Sequence, residues 1–396
     1  MMRAMKRCAC LLLLVSTACS LDRSGLRTPR SEGGVELDAG TRDGSIRPDA
    51  RPPGDARPPA EDTGPPIPAD WFDAAWKERR RLTFDNAPHD EDLVDFPVLV
   101  ALDPSRVDYE RAGPGGEALR FVDADGAVLA HEIERWQPGG TSHVWVRVPQ
   151  VDASSDADFI WMYADRPGAP DGQDPAGVWA APYRGVWHMS GDFDDATGNA
   201  NHGSASDAPD AEGVIGGARL FARDTFTTVP DADSLDLTEA VTISGWMFPT
   251  TLDHQLALLA KREGCEREGN YALFIRGDDD VQFEHYDGSW RTYHEGALET
   301  DRWQWVAATF DTRTDEVVIY LDGAATGDPM NATHELIPDA NAIEIGRNGG
   351  CAGDYLEGPM DEVRIESVAR SATWLAAQHR SMTDAYVSFD APERIR

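Results

Sequence analysis

The chain has 396 residues, enough for two or three domains, and 41% of them are hydrophobic, which supplies at least one core. Acids outnumber bases 70 to 36, for a formal charge of -34. Such a surface is repelled by nucleic-acid phosphates and by anionic membrane surfaces, so nucleic acid is excluded as a partner.

The chain opens with MMRAMKR, basic through Arg3, Lys6 and Arg7, followed by an apolar run over 10–15. A permanent spanning helix needs about 20 apolar residues, so residues 1–18 read as a signal peptide. The run closes on Ser16, Thr17, Ala18 and Cys19. This resembles the bacterial lipobox, with Ser16 where that motif usually has leucine. The resemblance implies that Cys19 is lipidated and becomes the new N-terminus. Several acyl chains, at about 0.8 kcal/mol per buried methylene, would then anchor the protein to a membrane. Ser20 stands in place of the aspartate of inner-membrane retention, which implies an outer-membrane lipoprotein of the cell envelope, periplasmic or surface-exposed. An ordinary secretory signal cut nearby is the alternative.

Residues 19–70 are dense in Pro, Asp and Arg, as in RPDARPPGDARPPAEDTGPPIP. With almost nothing to bury, this stretch is expected to stay disordered or partly polyproline II. It would reach roughly 150 Å as polyproline II, or about 40 Å as a coil. It reads as a tether, or as a spacer of no selected length.

From 71 to 177 the runs RRLTFDN, FPVLVALD, ALRFVDADG, AVLAHEIERW, SHVWVRVPQV and DFIWMYAD are short, apolar or alternating, and separated by Asn, Asp, Gly and Pro. They predict an antiparallel β-sandwich, with a tight turn at DADG, 123–126. A second series over 178–396 includes YRGVWHMSG, VTISGWMFP, YALFIRG, WQWVAATFD, EVVIYLDG and MDEVRIES. Its nine or so strands predict a larger sandwich or jelly roll, with a hairpin turn at Asp322-Gly323. A short helix capped by Ser371 is expected over SATWLAAQH. The fold class is therefore all-β: two antiparallel sandwiches after a disordered tether.

VTISGWMFP, WQWVAATFD, VVIYLDGAA and GPMDEVRIES, in that order and with the opening VWHMSGDFDDATGNANHGSA, resemble the laminin G-like, concanavalin A-like jelly-roll module of bacterial surface proteins over 183–380. Residues 71–177 resemble the domain of unknown function 2341, through W-x-x-R-R-x-L-T-F, LRFVDADG, HEIERW, VWVRVP and IWMYAD. That family has no established chemistry and implies architecture only.

Cys8 and Cys10 leave with the signal, so Cys265 and Cys351 are the only pair left in the folded part of an exported chain. They suggest a disulfide, worth roughly 4–5 kcal/mol for a loop of about 86 residues; two free thiols are the alternative. No neighbouring Cys or His completes a tetrahedral metal set.

DDATGNANHG, 194–203, fails the EF-hand pattern, since neither register places Gly sixth and Glu twelfth. The laminin G resemblance implies a structural calcium held by Asp195, Asn199 and Asp361, with Met360 and Glu362 on the opposite strand face. The alternative is a turn in which Asp195 and Asn199 bond their own backbone.

Catalysis finds little support. No E-x-D-x-x-E, H-E-x-x-H, G-x-S-x-G or phosphate loop occurs. Glu132 and Glu134 in HEIERW read as a solvated strand face, although a retaining glycosidase pair is compatible with their spacing. His188 reads as a strand residue packed beside Trp187, and His131, His254, His285 and His294 as isolated surface residues. YDGSWRTYHEG places Tyr286, Trp290 and Tyr293 round a tight turn, where aromatic rings are expected to stack on sugars; packing of Trp290 on the sandwich rim is the alternative. RGDDD, 276–280, reads as a solvated hairpin tip. These features predict a lipid-anchored, non-catalytic module that binds a carbohydrate or protein ligand at the cell surface. A polysaccharide-degrading enzyme and a structural envelope component are the alternatives.

Overall fold

Strand after strand in the second half of the chain is buried along its whole length rather than on alternate residues. Ala240–Met247, Leu256–Arg262 and Gly358–Glu366 contain no exposed position. In an antiparallel sheet this means that both faces are covered. The computed structural model describes residues 67–204, 207–264, 269–277, 279–332, 335–349 and 354–396. The signal peptide, Cys19, the tether up to residue 66, and both Cys265 and Cys351 lie outside the described residues. Gly264, beside Cys265, donates its N–H to the carbonyl of Gly349 at 2.6 Å.

The protein is all-β and antiparallel. The first module has a three-stranded sheet, Leu93–Leu102, Ser142–Val151 and His131–Arg135. Its second sheet runs Val387–Phe389, Glu78–Phe84, Phe159–Ala164, Arg120–Asp123 and Val128–Leu129. The DADG turn joins the last two strands, with Gly126 at φ 93°. The concanavalin A-like jelly roll has a six-stranded sheet, whose edge hairpin is Asp280–Tyr286 and Trp290–Ala297, and a nine-stranded sheet. In the nine-stranded sheet Ala240–Met247 lies between Gln304–Asp311 and Gly358–Glu366, and Tyr183–Trp187 also pairs with Gly358–Glu366. The turn at Asp322-Gly323 forms as expected, both residues at positive φ (48° and 79°).

The nine-stranded sheet is the middle layer. One face, through Val241, Ile243, Val306, Phe310, Val363 and Ile365, closes the jelly-roll interior. The other face presents Trp246, Trp305 and Ala307 to a core shared with Phe96, Trp145, Val146, Trp179 and Trp374. Each of the larger side chains contributes about 1.5–3 kcal/mol by leaving water. The C-terminal segment locks the two modules together. Helix Ala372–Met382, with Ser371 accepting from the Trp374 N–H at 3.0 Å, sets Trp374 edge-on to Phe96 at 4.9 Å. Ser381 Oγ accepts from the Leu99 N–H at 2.8 Å. Expected as the end of the second domain, Val387–Phe389 and Glu393–Arg394 instead pair with Glu78–Phe84 of the first. A boundary at 178 therefore does not separate two self-contained bodies, because the last strands supply backbone partners to an otherwise open sheet edge.

His131, expected on the surface, is 1% exposed against the Phe121 ring. His285 is buried between Tyr293 and Phe310. His254 is partly buried between Asp253 Oδ1 and the Tyr355 carbonyl, and His294 is exposed beside Asp280.

Two outcomes are expected. Trp374→Ala should cost about 3–5 kcal/mol and lower a single calorimetric transition that both modules share; two separate transitions would contradict the shared core. Burial pushes the His131 imidazole down to about 4. The unfolded chain then takes up this proton near pH 6.5 and the fold resists it to about 4, so stability is full above about pH 6.5 and falls as pH drops through that window, by on the order of 3 kcal/mol. Denaturant titrations at several pH values should show His131→Gln losing less stability across the window than the wild type.

Candidate functional site

Strand Gly358–Glu366 alternates between the two cores, and its residues facing the first module are the charged Glu362, Arg364 and Glu366, all buried. They survive burial because each has a counter-charge. Arg364 bonds Glu362 Oε2 and stands 4.5 Å and 4.7 Å from the ring centres of Trp145 and Trp179. Arg370 bonds Glu366 Oε2 at 2.5 Å. Glu362 sits at φ 53°, with a register shift in the pairing to Ala240–Met247. The bulge breaks the expected alternation: Met360 enters the jelly-roll core, whereas Glu362 reaches the junction and does not share a face with it.

His188, one residue past Tyr183–Trp187, meets Glu362 there. Its Nδ1 lies 2.5 Å from Glu362 Oε1 and 3.5 Å from Glu134 Oε2, and its Nε2 lies 3.2 Å from Glu132 Oε2. Glu132 Oε2 also accepts from the Trp179 indole N–H at 2.5 Å, and Glu134 Oε2 from that of Trp145 at 2.8 Å. The expectation of a solvated Glu132/Glu134 face is thus overturned, and His188, expected as a strand residue packed beside Trp187, lies one residue past the strand Tyr183–Trp187. Both glutamates point into the inter-module junction, and His188 contacts three carboxylates. Nothing local signals this, because the partners lie 174 and 56 residues away along the chain.

Charge in this space is strongly perturbed. Burial, joined by the Glu362 carboxylate, pushes Glu134 up to about 8 against the pull of His188 and the Trp145 N–H. Burial opposes charge on His188, but Glu362, Glu132 and Glu134 outweigh it and hold the imidazole protonated well above its usual range. Burial likewise opposes Glu362, yet His188 and Arg364 keep it ionised below the usual carboxylate range. Asp361, pushed well up by burial and by Glu362 and Glu134, accepts from the N–H groups of Val214 and Ile215 at 2.8 and 2.9 Å.

Above the cluster is a cleft of about 460 Å³. Glu132, Glu134 and His188 form its floor; Ser190, Asp192, Asp194 and His202 stand at its rim, with Ile133, Pro175 and Ala196 on its walls. Clefts at domain junctions with a few convergent polar groups and perturbed titrations are the commonest ligand sites.

The residues expected at a calcium site do not converge on one. Asp195 Oδ1 accepts from the N–H groups of Val186 (3.0 Å) and Thr197 (2.9 Å), and Oδ2 from Thr197 Oγ1 (2.7 Å) and the Asn201 N–H (2.8 Å). All four lone-pair positions of the carboxylate are filled. Asn199 donates its amide to the carbonyls of Tyr183 and Arg184, and Asp361 bonds a different loop. This donor set does not fit calcium; the loop is a turn closed on Asp195. Of the expected ligand aromatics, half-buried Tyr286 and Trp290 pair across the hairpin, ring centres 5.4 Å apart, with Arg262 4.0 Å over Trp290. Tyr293 lies on the other face, stacked on buried His285 at 5.7 Å, because strand alternation separates it from Trp290.

Asp195→Ala strips acceptors from three backbone N–H groups and should cost on the order of 3 kcal/mol. The melting temperature of the wild type should not respond to calcium through this loop. A calcium-dependent rise that vanishes in Asp195→Ala would restore the calcium reading.

Residues 221–376 match the model of the concanavalin A-like lectin/glucanases superfamily. Residues 115–205 match that of the domain of unknown function DUF2341. No curated protein matches the chain. Similar solved structures include the binding domain of Paraclostridial Mosquitocidal Protein 1, at 13% identity over 50% of this chain and 52% of that one, with a TM-score of 0.41. Domain 4 of AbnA, a GH43 extracellular arabinanase from Geobacillus stearothermophilus, in complex with arabinotriose, matches at 19% identity over 49% of this chain and 96% of that one, TM-score 0.41. The binding domain of botulinum neurotoxin serotype G matches at 13% identity over 50% of each chain, TM-score 0.39. The chain spans about half the length of the two toxin domains. It carries a domain of unknown function DUF2341 followed by a concanavalin A-like domain of the lectin/glucanase superfamily.

Proposed function

We propose that the protein is a non-catalytic carbohydrate-binding protein of the cell envelope, anchored by a lipid on Cys19 and raised on the 19–70 tether, with its ligand in the junction cleft. The observation that carries this reading is the cleft itself: a fixed polar floor under a rim of exposed carboxylate and imidazole groups and a half-buried hydroxyl, in a chain with a lectin/glucanase-type domain. Carboxylates accept from sugar hydroxyls, and the apolar walls suit the hydrophobic faces of a pyranose. Each floor glutamate accepts from a buried indole N–H and is ion-paired with His188, which suits a rigid binding surface better than a proton shuttle. Five acids line the cleft against two histidines, so neutral or amino sugars are favoured over uronates and sulfated glycans.

A second reading is favoured by Tyr286 and Trp290, whose half-buried rings lie on the jelly roll's edge hairpin and offer a stacking platform there.

The soluble chain from residue 20 onward, screened on a glycan array, should retain neutral or amino sugars and release no reducing ends. Asp192→Asn with Asp194→Asn should weaken binding at least about tenfold, equivalent to 1.4 kcal/mol. Retention of affinity in that variant and loss in Trp290→Ala would move the site to the hairpin. Absence of any glycan signal would remove the carbohydrate reading. Detergent partitioning of the full chain, abolished by Cys19→Ala, tests the anchor separately.

A further inference from the structure

We infer that Glu134, His188 and Glu362 form a binding site for a divalent transition-metal ion of the zinc class, set between the two modules. One donor atom from each of the three lies within 4.8 Å of the others. The donors come from three separate segments: Glu134 from His131–Arg135, His188 from the residue after Tyr183–Trp187, and Glu362 from Gly358–Glu366. An ion at this point would fasten the first module to the jelly roll.

An independent observation points to a missing partner. Glu134 Oε1 is buried and accepts no hydrogen bond among the described residues, and the side chain is 2% exposed. Buried carboxylate oxygens are ordinarily satisfied, so an orphan on a side chain whose other oxygen, Oε2, faces His188 Nδ1 at 3.5 Å marks an unmet demand for a partner. The surroundings of His188 are those of a metal-bound imidazole. Its Nδ1 faces Glu134 and Glu362, while its Nε2 faces the Glu132 carboxylate, which the Trp179 indole N–H holds in place. A carboxylate on the far nitrogen fixes the ring and raises the basicity of the ligating one. Arg364 engages Glu362 through Oε2, leaving Oε1 for the ion.

Donor type selects the class of ion. One imidazole nitrogen and two carboxylate oxygens suit zinc and its first-row neighbours; calcium and magnesium prefer all-oxygen shells. Three protein ligands leave a coordination position open toward the cleft, which is also the entry path. On binding, the proton between His188 Nδ1 and Glu362 Oε1, and any proton on Glu134, pass to solvent. The site stands whether or not the cleft above it takes a glycan.

The test uses the full chain freed of metal with EDTA and titrated calorimetrically with zinc chloride, with calcium and magnesium chlorides as controls. Zinc should bind at one equivalent and raise the melting temperature, and calcium and magnesium should do neither. Cobalt(II) should give visible d–d absorption that zinc bleaches. Glu134→Gln, nearly isosteric and still able to accept from the Trp145 indole, should fold and melt in EDTA at or above the wild-type temperature while losing at least tenfold in zinc affinity. His188→Gln is expected to abolish binding, and should it fail to fold, Glu134→Gln decides the matter alone. No binding by the wild type, or zinc binding undiminished in Glu134→Gln and so located at surface pairs such as His294 and Asp280, would overturn the inference.

Discussion

The rest of the structure depends on one constraint: the nine-stranded sheet is covered on both faces. An antiparallel sheet in a free-standing jelly roll has one wet face, and its strands read as alternating patterns. Here Ala240–Met247 and Gly358–Glu366 have no wet face at all. Trp246 and Trp305 belong to the core of the first module as much as to their own strands. Large aromatic side chains on that face need a lid, and the three-stranded sheet and helix Ala372–Met382 supply it. The two modules are therefore one unit in stability, even though two family models describe them separately.

Double burial also explains the charged junction. The outward positions of Gly358–Glu366 would be solvated in an isolated jelly roll, and Glu362, Arg364 and Glu366 are ordinary residues for such a place. Covering them removes water and forces each charge to find a partner. Glu362 finds Arg364 and His188, Glu366 finds Arg370, and the aromatic rings of Trp145 and Trp179 lie against the guanidinium of Arg364. The polar cluster and the cleft above it lie where the first module covers the charged positions of this strand.

Particular residues show how much could be read in advance. The DADG and Asp322-Gly323 turns and the Ser371 cap rest on local chemistry, and each forms where the local signal puts it. The Asp195 loop was legible as a pair of alternatives, and its hydrogen bonds are those of the turn. Glu132, Glu134 and His188 were misread because periodicity reports which face a side chain occupies, not what lies against that face. The grouping of Tyr293 with Trp290 failed for the converse reason: nearness round a turn was put ahead of strand alternation, which sends the two to opposite faces.

By itself the sequence determined the all-β class, the strands and their turns, and the resemblance to two families, since these follow from residue type and spacing over ten or twenty positions. Only the tertiary structure decided that the sheets merge into one body, that the C-terminal strands return to the first module, and that His188, Glu134 and Glu362 converge. Convergence of groups from three distant segments depends on how finished sheets dock, and no local periodicity in the chain encodes that.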